Sequence, residues 1–383
     1  MKLFVSGRRQ TNRLLSTVDF STDDWLWFHC ASLGEYEQAV PLITRLKNGK
    51  VKILVSFFSP SGFEQKKNHA LIDLAIYLPI DTPKNAHFLV STVKPKQAFF
   101  IKYEFWENYF SALNKIKTPI YMVSSTFREN QFFFKWYGGF FKNTLKRVTY
   151  FFVQNKESKT VLLANGFKNV TVSGDTRYDR VHAQLKMNNQ LDFIQNFKGN
   201  RLCVVLGSTW PDCESFFVNT INNSGNEVCF VIAPHEIKKE KIQALVNKLN
   251  VKSSVYSQGV AADAKVLVID AIGLLTRIYS YADIAYVGGA VGTTGLHNVL
   301  EPAVFGIPIL IGTNVNKFPE ATALEKAGGL KMLSTAHDFE QTVIQLITDK
   351  PYREQMGLRT KNFVQTQLGA TEKITSYLVN TQN

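Results

Sequence analysis

LCVVLGSTWPDCESFFVNTINNSGNEVCFVIAPHEI, residues 202–237, decides the fold. An apolar run, LCVVLGST, leads through a proline into a helix-patterned segment, and a second apolar run, VCFVIAP (228–234), follows. Strands that are apolar throughout are covered on both faces, and a helix between them makes the pairing parallel. The unit recurs downstream in KVLVID (265–270), IAYVGG (284–289) and IPILIG (307–312). Upstream it recurs in WLWFHCA (25–31), KILVSFFS (52–59), QAFFIKYEF (97–105), PIYMVSS (119–125), TYFFVQN (149–155) and NVTVSG (169–174). A polar stretch rich in Asn and Gln, Met187 to Arg201, separates the two series. The expected class is α/β, with two Rossmann-like domains whose parallel sheets face each other across a cleft. The expected N-terminal domain spans 1–174 and the C-terminal domain 175–360, with a terminal helix in 361–383 packing back on the first.

The 383 residues suffice for two buried cores, and 45% hydrophobic against 20% charged excludes a disordered or collagen-like chain. Lys and Arg number 44 against 31 Asp and Glu, a net +13 that points to a polyanionic partner. Nucleic acid, a phospholipid surface and a phosphorylated substrate all qualify. Cys30, Cys203, Cys213 and Cys229 show no C-x-x-C spacing, and the reading is buried thiols in a reducing compartment. The start, MKLFVSGRRQTNRLL, is too basic for a signal peptide, and no apolar stretch approaches the roughly 18 residues that span a bilayer. A cytoplasmic protein, soluble or peripheral, is expected.

In open α/β sheets the chemistry lies just beyond the carboxyl ends of the strands. Three constellations sit there in the first series: Ala31-Ser32-Leu33-Gly34-Glu35, Lys102 to Glu107, and Gly174-Asp175-Thr176-Arg177-Tyr178-Asp179. Glu35 opens a helix, where a carboxylate often only complements the dipole, yet it stands where a general base is needed. Arg177 suits a phosphate or carboxylate through its fork, although an ion pair in a hinge looks the same.

Four more follow strands of the second series. Gly207-Ser208-Thr209-Trp210-Pro211 offers the Ser208 and Thr209 hydroxyls at a helix start, and Pro234-His235-Glu236 ends the next strand. Asp270-Ala271-Ile272-Gly273-Leu274 enters a helix, and Gly288-Gly289 leads to His297-Asn298-Val299-Leu300-Glu301-Pro302. Gly-rich turns on helix starts suit a phosphate, and a buried Glu suits ribose hydroxyls, so together they point to a nucleotide. The motifs of P-loop enzymes, nicotinamide enzymes and serine hydrolases are missing from the sequence, as is any Cys/His metal-ligand spacing. Phe127 to Phe141, FRENQFFFKWYGGFF, stands beside Lys142, Lys146 and Arg147. It suits an anionic membrane surface, stacked single-stranded RNA or a buried aromatic helix, and membrane contact is favoured because three consecutive Phe cannot all face one core.

WFHCASLGEYEQAVPLI, KYEFW, SGDTRYDRV, GSTWPDCE, IAPHEI and HNVLEPAVFGIPILIG, in this order, resemble the bacterial 3-deoxy-D-manno-octulosonic acid (Kdo) transferases of lipopolysaccharide synthesis. The resemblance runs from about Lys2 almost to the C-terminus. It implies a two-domain GT-B glycosyltransferase that moves Kdo from CMP-Kdo to the glucosamine 6'-hydroxyl of a lipid A precursor. It further implies inversion, no cofactor, no metal in the transfer step and no nucleic acid partner. Glu35 matches the family's catalytic base, and Glu104 and Arg177 match positions that support the transition state. Pro234, His235, Ile272, Gly273, Leu274, Asn298, Val299, Leu300 and Glu301 match the CMP site, with Ser208, Thr209 and Gly289 beside them. The resemblance places the protein at the cytoplasmic face of the inner membrane, with an anionic lipid surface as partner.

Two features depart from the family. Its members usually begin with a hydrophobic membrane anchor, so either the anchor lies outside this sequence or the basic aromatic patch holds the membrane alone. Gly288-Gly289-Ala290-Val291-Gly292 also lacks the bulkier residue that many relatives carry after the glycines. Two other readings stay open: a different GT-B enzyme such as a UDP-sugar epimerase or another glycosyltransferase, and a basic, non-catalytic nucleic-acid binder.

Overall fold

The computed structural model describes residues 2–381. Its first sheet has seven strands: β1 (Asp24–Cys30), β2 (Val51–Phe57), β3 (Leu74–Tyr77), β4 (Gln97–Ile101), β5 (Ile120–Ser125), β6 (Tyr150–Val153) and β7 (Val170–Val172). They lie in the order β3-β2-β1-β4-β5-β6-β7, every pair parallel. The second sheet has β8 (Leu202–Thr209), β9 (Val228–Pro234), β10 (Ser253–Val255), β11 (Val266–Val268), β12 (Ile284–Val287), β13 (Ile309–Ile311) and β14 (Leu330–Met332). Its order is β10-β11-β9-β8-β12-β13-β14, again parallel throughout.

Burial on both faces explains why the central runs are strands. Trp27 and Phe100 pack on one face of the first sheet, with Tyr109 and Phe110 of the helix Glu107–Lys115. Phe28 and Phe99 stack on the other face, under Tyr36, Ala39 and Ile43 of the helix Leu33–Leu46. In both sheets the strand order reverses beside the first strand, between β1 and β4 and between β8 and β12. There the flanking helices leave on opposite faces, opening a crevice at the carboxyl ends.

The chain divides into a unit of Met1–Arg180 with Gln367–Asn383, and a unit of Val181–Thr366. The divisions fall after Arg180 and Thr366, rather than after 174 and 360. The Thr176 hydroxyl donates to the Gln38 carbonyl (2.7 Å), and the Asp179 carboxylate accepts from the amides of Gly369 (2.8 Å) and Thr371 (2.7 Å). These bonds hold the segment after β7 and the last helix, Ala370–Asn380, in the first unit. Ile374 and Leu378 of that helix are buried in its core, and the Tyr377 ring lies 4.0 Å from that of Tyr150. The helix Lys350–Thr366 stays with the second unit, where the buried Thr360 hydroxyl donates to the Gly329 carbonyl (2.9 Å). All four cysteines are free and buried.

Candidate active site

In the first unit, the ends of the neighbouring strands β1 and β4 carry the charged groups. Ser32 precedes the helix Leu33–Leu46 in an extended conformation, and its hydroxyl donates to Glu35 Oε2 instead of capping the backbone. Lys102 follows β4 in the left-handed region (φ 64°), a strained conformation for a side-chain-bearing residue. Its ammonium stands 4.0 Å from Glu35 Oε1. The Glu35 side chain keeps about a sixth of its surface, 16%, in contact with solvent. Glu35 and Lys102 thus come from two strand ends that are distant in sequence.

Glu104 is oriented from below. Its Oε2 accepts from Trp106 Nε1 (2.9 Å) and lies 3.3 Å from His29 Nε2. His29 is fully buried in β1, and its Nδ1 lies 2.8 Å from Ser56 Oγ, which accepts from Trp27 Nε1 (2.8 Å). With Nδ1 on the Ser56 hydroxyl, the ring turns Nε2 toward Glu104. The buried Cys30 thiol is pushed well up by desolvation, then by Glu35 and Glu104, so both carboxylates surround the end of β1.

Arg177 is held by Asp175: Nε donates to Oδ2 (2.9 Å), with Nη2 at 2.8 Å from the same oxygen. Asp175 is itself buried and accepts from Gln38 Nε2 (2.8 Å), on the helix that Glu35 begins. The guanidinium is therefore positioned by an ion pair with a buried carboxylate.

His29, Ser56 and Trp27 escaped the motif reading. Replacing His29 with alanine is expected to lower kcat for transfer by about 10- to 100-fold, through loss of Glu104 orientation. His29→Gln, whose amide reaches toward the place of Nε2, is expected to recover part of the loss. Nucleotide affinity should stay at its original value in both variants. Steady-state kinetics showing an unchanged kcat for His29→Ala would remove His29 from this role.

In the second unit, the residues assigned from sequence fall into two corners. At the end of β8, Ser208 takes φ 53° at a bulge in the β8–β9 register. Thr209 is buried, and its carbonyl accepts the His235 amide (2.9 Å). Trp210 stacks on His235 with ring centroids 4.3 Å apart, and His297 lies 4.5 Å from His235. Trp210 Nε1 donates to His297 Nε2 (2.9 Å), so the proton of the neutral ring sits on Nδ1. Burial, and then the proximity of His235, lower the His297 pKa to about 4, so this ring stays neutral near pH 7. His235 is exposed beside Pro234, giving the stack an open end.

The other corner gathers Glu301, Asn298 and Thr276. Glu301 Oε2 accepts from the Thr276 hydroxyl (3.0 Å), and Oε1 from Asn298 Nδ2 (3.2 Å). Asn298 Oδ1 also accepts the Leu300 amide (3.1 Å), which sets the turn into Leu300–Ala303. The turn before Thr276 stands open: Ile272 is 89% exposed, and Gly273, at φ 87°, has nothing within 4 Å of a would-be Cβ. Leu274 is half-buried behind it.

Three assignments change in character. Val299 and Leu300 are buried, so their side chains serve the core and only their backbone is available to a ligand. At Gly289 (φ 81°) a Cβ would meet the Gly295 carbonyl oxygen at 2.0 Å, and at Gly288 the Ser208 oxygen at 2.1 Å. Close passage of neighbouring backbones explains this glycine pair without an open phosphate cradle. Among the described residues, no three His, Cys, Asp or Glu side chains gather in a group able to hold a metal.

The family model described as 3-deoxy-D-manno-octulosonic-acid transferase (kdotransferase) matches residues 6–180, which include Glu35, Glu104 and Arg177. A 3-deoxy-D-manno-octulosonic acid transferase of Haemophilus influenzae is 24% identical over 92% of this chain and 86% of its own length. One from Aquifex aeolicus is 25% identical over 79% of this chain and 80% of its own. The chain resembles the Kdo transferases over most of its length. It is a glycosyltransferase that transfers Kdo. A bifunctional glycosyltransferase/methyltransferase of Fusobacterium nucleatum is 23% identical over 82% of this chain, which spans 50% of that protein.

Among solved structures, a UDP-GlcNAc 2-epimerase from Neisseria meningitidis is similar over 94% of this chain and 100% of its own, with TM-score 0.65 and 16% identity. One from Methanocaldococcus jannaschii covers 90% of this chain and 99% of its own, with TM-score 0.55 and 14% identity. These likenesses establish the GT-B fold, with its parallel sheets, for this chain.

Proposed function

We propose that this Kdo transferase uses CMP-Kdo as donor and the glucosamine 6'-hydroxyl of a lipid A precursor as acceptor. The observation that carries the reading is the carboxylate pair of Glu35 and Glu104 around the β1 end, at the reversal point of the family-matched unit. Glu35 takes the proton of the acceptor hydroxyl as its oxygen bonds to the anomeric carbon of Kdo. The bond from that carbon to the phosphate oxygen breaks, and its electron pair leaves with CMP. One displacement opposite the leaving phosphate inverts the anomeric centre. Glu104 and Arg177 stabilise the charge that develops around it.

The donor nucleotide belongs to the second unit. Glu301 is assigned the ribose hydroxyls, with Asn298 and Thr276 fixing the orientation of its oxygens. The open turn at Ile272–Leu274, the Ser208 and Thr209 hydroxyls and the His235 face of the aromatic stack complete the nucleotide contacts. Fixed dipoles there take the part that a divalent metal plays in many nucleotide-sugar enzymes. Among the described residues no helix is long and apolar enough to cross a membrane. The proposed workplace is the cytoplasmic face of the inner membrane, reached peripherally or through an anchor.

Mass spectrometry of a lipid A precursor incubated with the protein and freshly generated CMP-Kdo tests the proposal. A product heavier by whole Kdo residues is expected. Transfer only to another acceptor, or epimerisation of a UDP-sugar, would replace it.

A further inference from the structure

The segment after β5 divides its aromatic rings between core and solvent. Phe127 and Phe133 are buried at 2% and 4% exposure, whereas Trp136, Tyr137 and Phe140 are 94%, 63% and 61% exposed. Phe132 and Phe141, with centroids 4.7 Å apart, stand half out beside them. The three consecutive phenylalanines thus split: Phe133 anchors, Phe134 is partly buried against the core, and Phe132 faces out.

The protruding tip is built rather than loose. Phe132–Phe134 forms a turn of 3-10 helix, and Gly139–Leu145 a short α-helix. Between them Gly138 packs so closely that a Cβ would meet the Phe132 carbonyl oxygen at 1.9 Å. Residues 128–147 hold five basic side chains against one acidic. Arg147 is paired with Glu107 (2.6 Å), while Lys135 and Lys146 are exposed beside the rings.

We propose that the tip Phe132–Phe141 is a docking surface that inserts into the interfacial layer of an anionic phospholipid bilayer. The chemistry of that layer selects it: Trp and Tyr settle where apolar and wet regions meet, Phe enters the acyl boundary, and lysines reach back to anionic headgroups. Stacking of single-stranded RNA on the same rings, or pairing with a second copy of the chain, is set against this occupant by the experiment below.

The consequence for catalysis rests on the lipid-acceptor reading above. Phe105, next to Glu104, packs on Phe127 (5.8 Å) and on Phe133 (4.8 Å), the two anchors of the tip. The Tyr103 hydroxyl meets that of Thr126 (2.6 Å), tying the same loop to the start of the segment. One aromatic layer therefore joins the bilayer-facing tip to the Glu104 loop, and a lipid-anchored acceptor sugar held at the surface is offered to that end of the unit.

Sedimentation of the full chain with vesicles of phosphatidylethanolamine and phosphatidylglycerol, without donor or acceptor, tests the surface independently of transfer. The unaltered protein is expected to sediment with them and to release at high salt. Trp136→Ser with Tyr137→Ser and Phe140→Ser should lower the bound fraction about tenfold or more. Lys135→Glu with Lys146→Glu should lower it severalfold, with the thermal midpoint of both variants unchanged because the altered side chains are exposed. Failure of the unaltered protein to sediment, or wild-type sedimentation of the triple variant, overturns the proposal. So does binding to single-stranded RNA in place of vesicles, or a dimer by light scattering that the triple variant abolishes.

Discussion

Glu35→Ala is expected to lower the rate of Kdo transfer by about 10²- to 10⁴-fold, the usual contribution of a positioned general base. Folding should barely respond. Glu35 lies in the first turn of a helix, where losing a carboxylate costs about 0.3–1 kcal/mol through the dipole. Its partners are the Ser32 hydroxyl and the Lys102 ammonium, neither of them part of the apolar core. The nucleotide contacts are assigned to the other unit, so CMP affinity should match that of the unaltered protein. Glu35→Gln separates base from scaffold: the amide keeps the size and accepts from Ser32, yet takes no proton. If Glu35→Gln transfers Kdo at the original rate while Glu35→Ala does not, the carboxylate is a helix-start support and another group is the base. Single-turnover measurement with saturating CMP-Kdo reads the step directly.

Much of this arrangement was legible in the chain because fully buried parallel strands leave unbroken apolar runs, and WLWFHC and LCVVLG are of that kind. The position of Glu35 followed from the same logic, since chemistry gathers beyond strand ends. What pairs with it did not. Lys102 meets Glu35 only because β4 lies beside β1 across a crossover, with Leu26 opposite Gln97. Trp210 meets His297 through the equivalent adjacency of β8 and β12. His29 carried a faint signal, a polar residue inside an apolar strand, but only the fold shows it between Ser56 and Glu104. Thr276 carried none.

The domain limits hid for a related reason. Asp179 binds the amides of Gly369 and Thr371 almost two hundred positions away, and no local pattern announces such a tie. In the second unit the motif reading treated neighbours alike. Asn298 and Glu301 project toward each other, while Val299 and Leu300 between them turn into the core. Gly288 and Gly289 resembled a phosphate turn, yet the nearby carbonyls of Ser208 and Gly295 account for them.

Glu301→Ala is expected to weaken CMP binding by about 10- to 150-fold, corresponding to about 1.5–3 kcal/mol for hydrogen bonds to a charged acceptor. The local geometry makes this more than a packing change. Thr276 and Asn298 each direct a donor at one carboxylate oxygen, which fixes the orientation in which Glu301 would meet a ribose hydroxyl. The Tyr279 phenol nearby is pushed well up, first by burial and then by the Glu301 charge. Calorimetry with CMP and with its 2'-deoxy analogue isolates the contact. In the unaltered protein, removing the 2'-hydroxyl should cost affinity; in Glu301→Ala the same removal should cost much less, because its partner is already gone. An equal cost in both proteins would mean that Glu301 does not hold the ribose and that the loss from Glu301→Ala comes from a disordered corner. Glu301→Gln should fall between, since it keeps one acceptor oxygen and forfeits the charge.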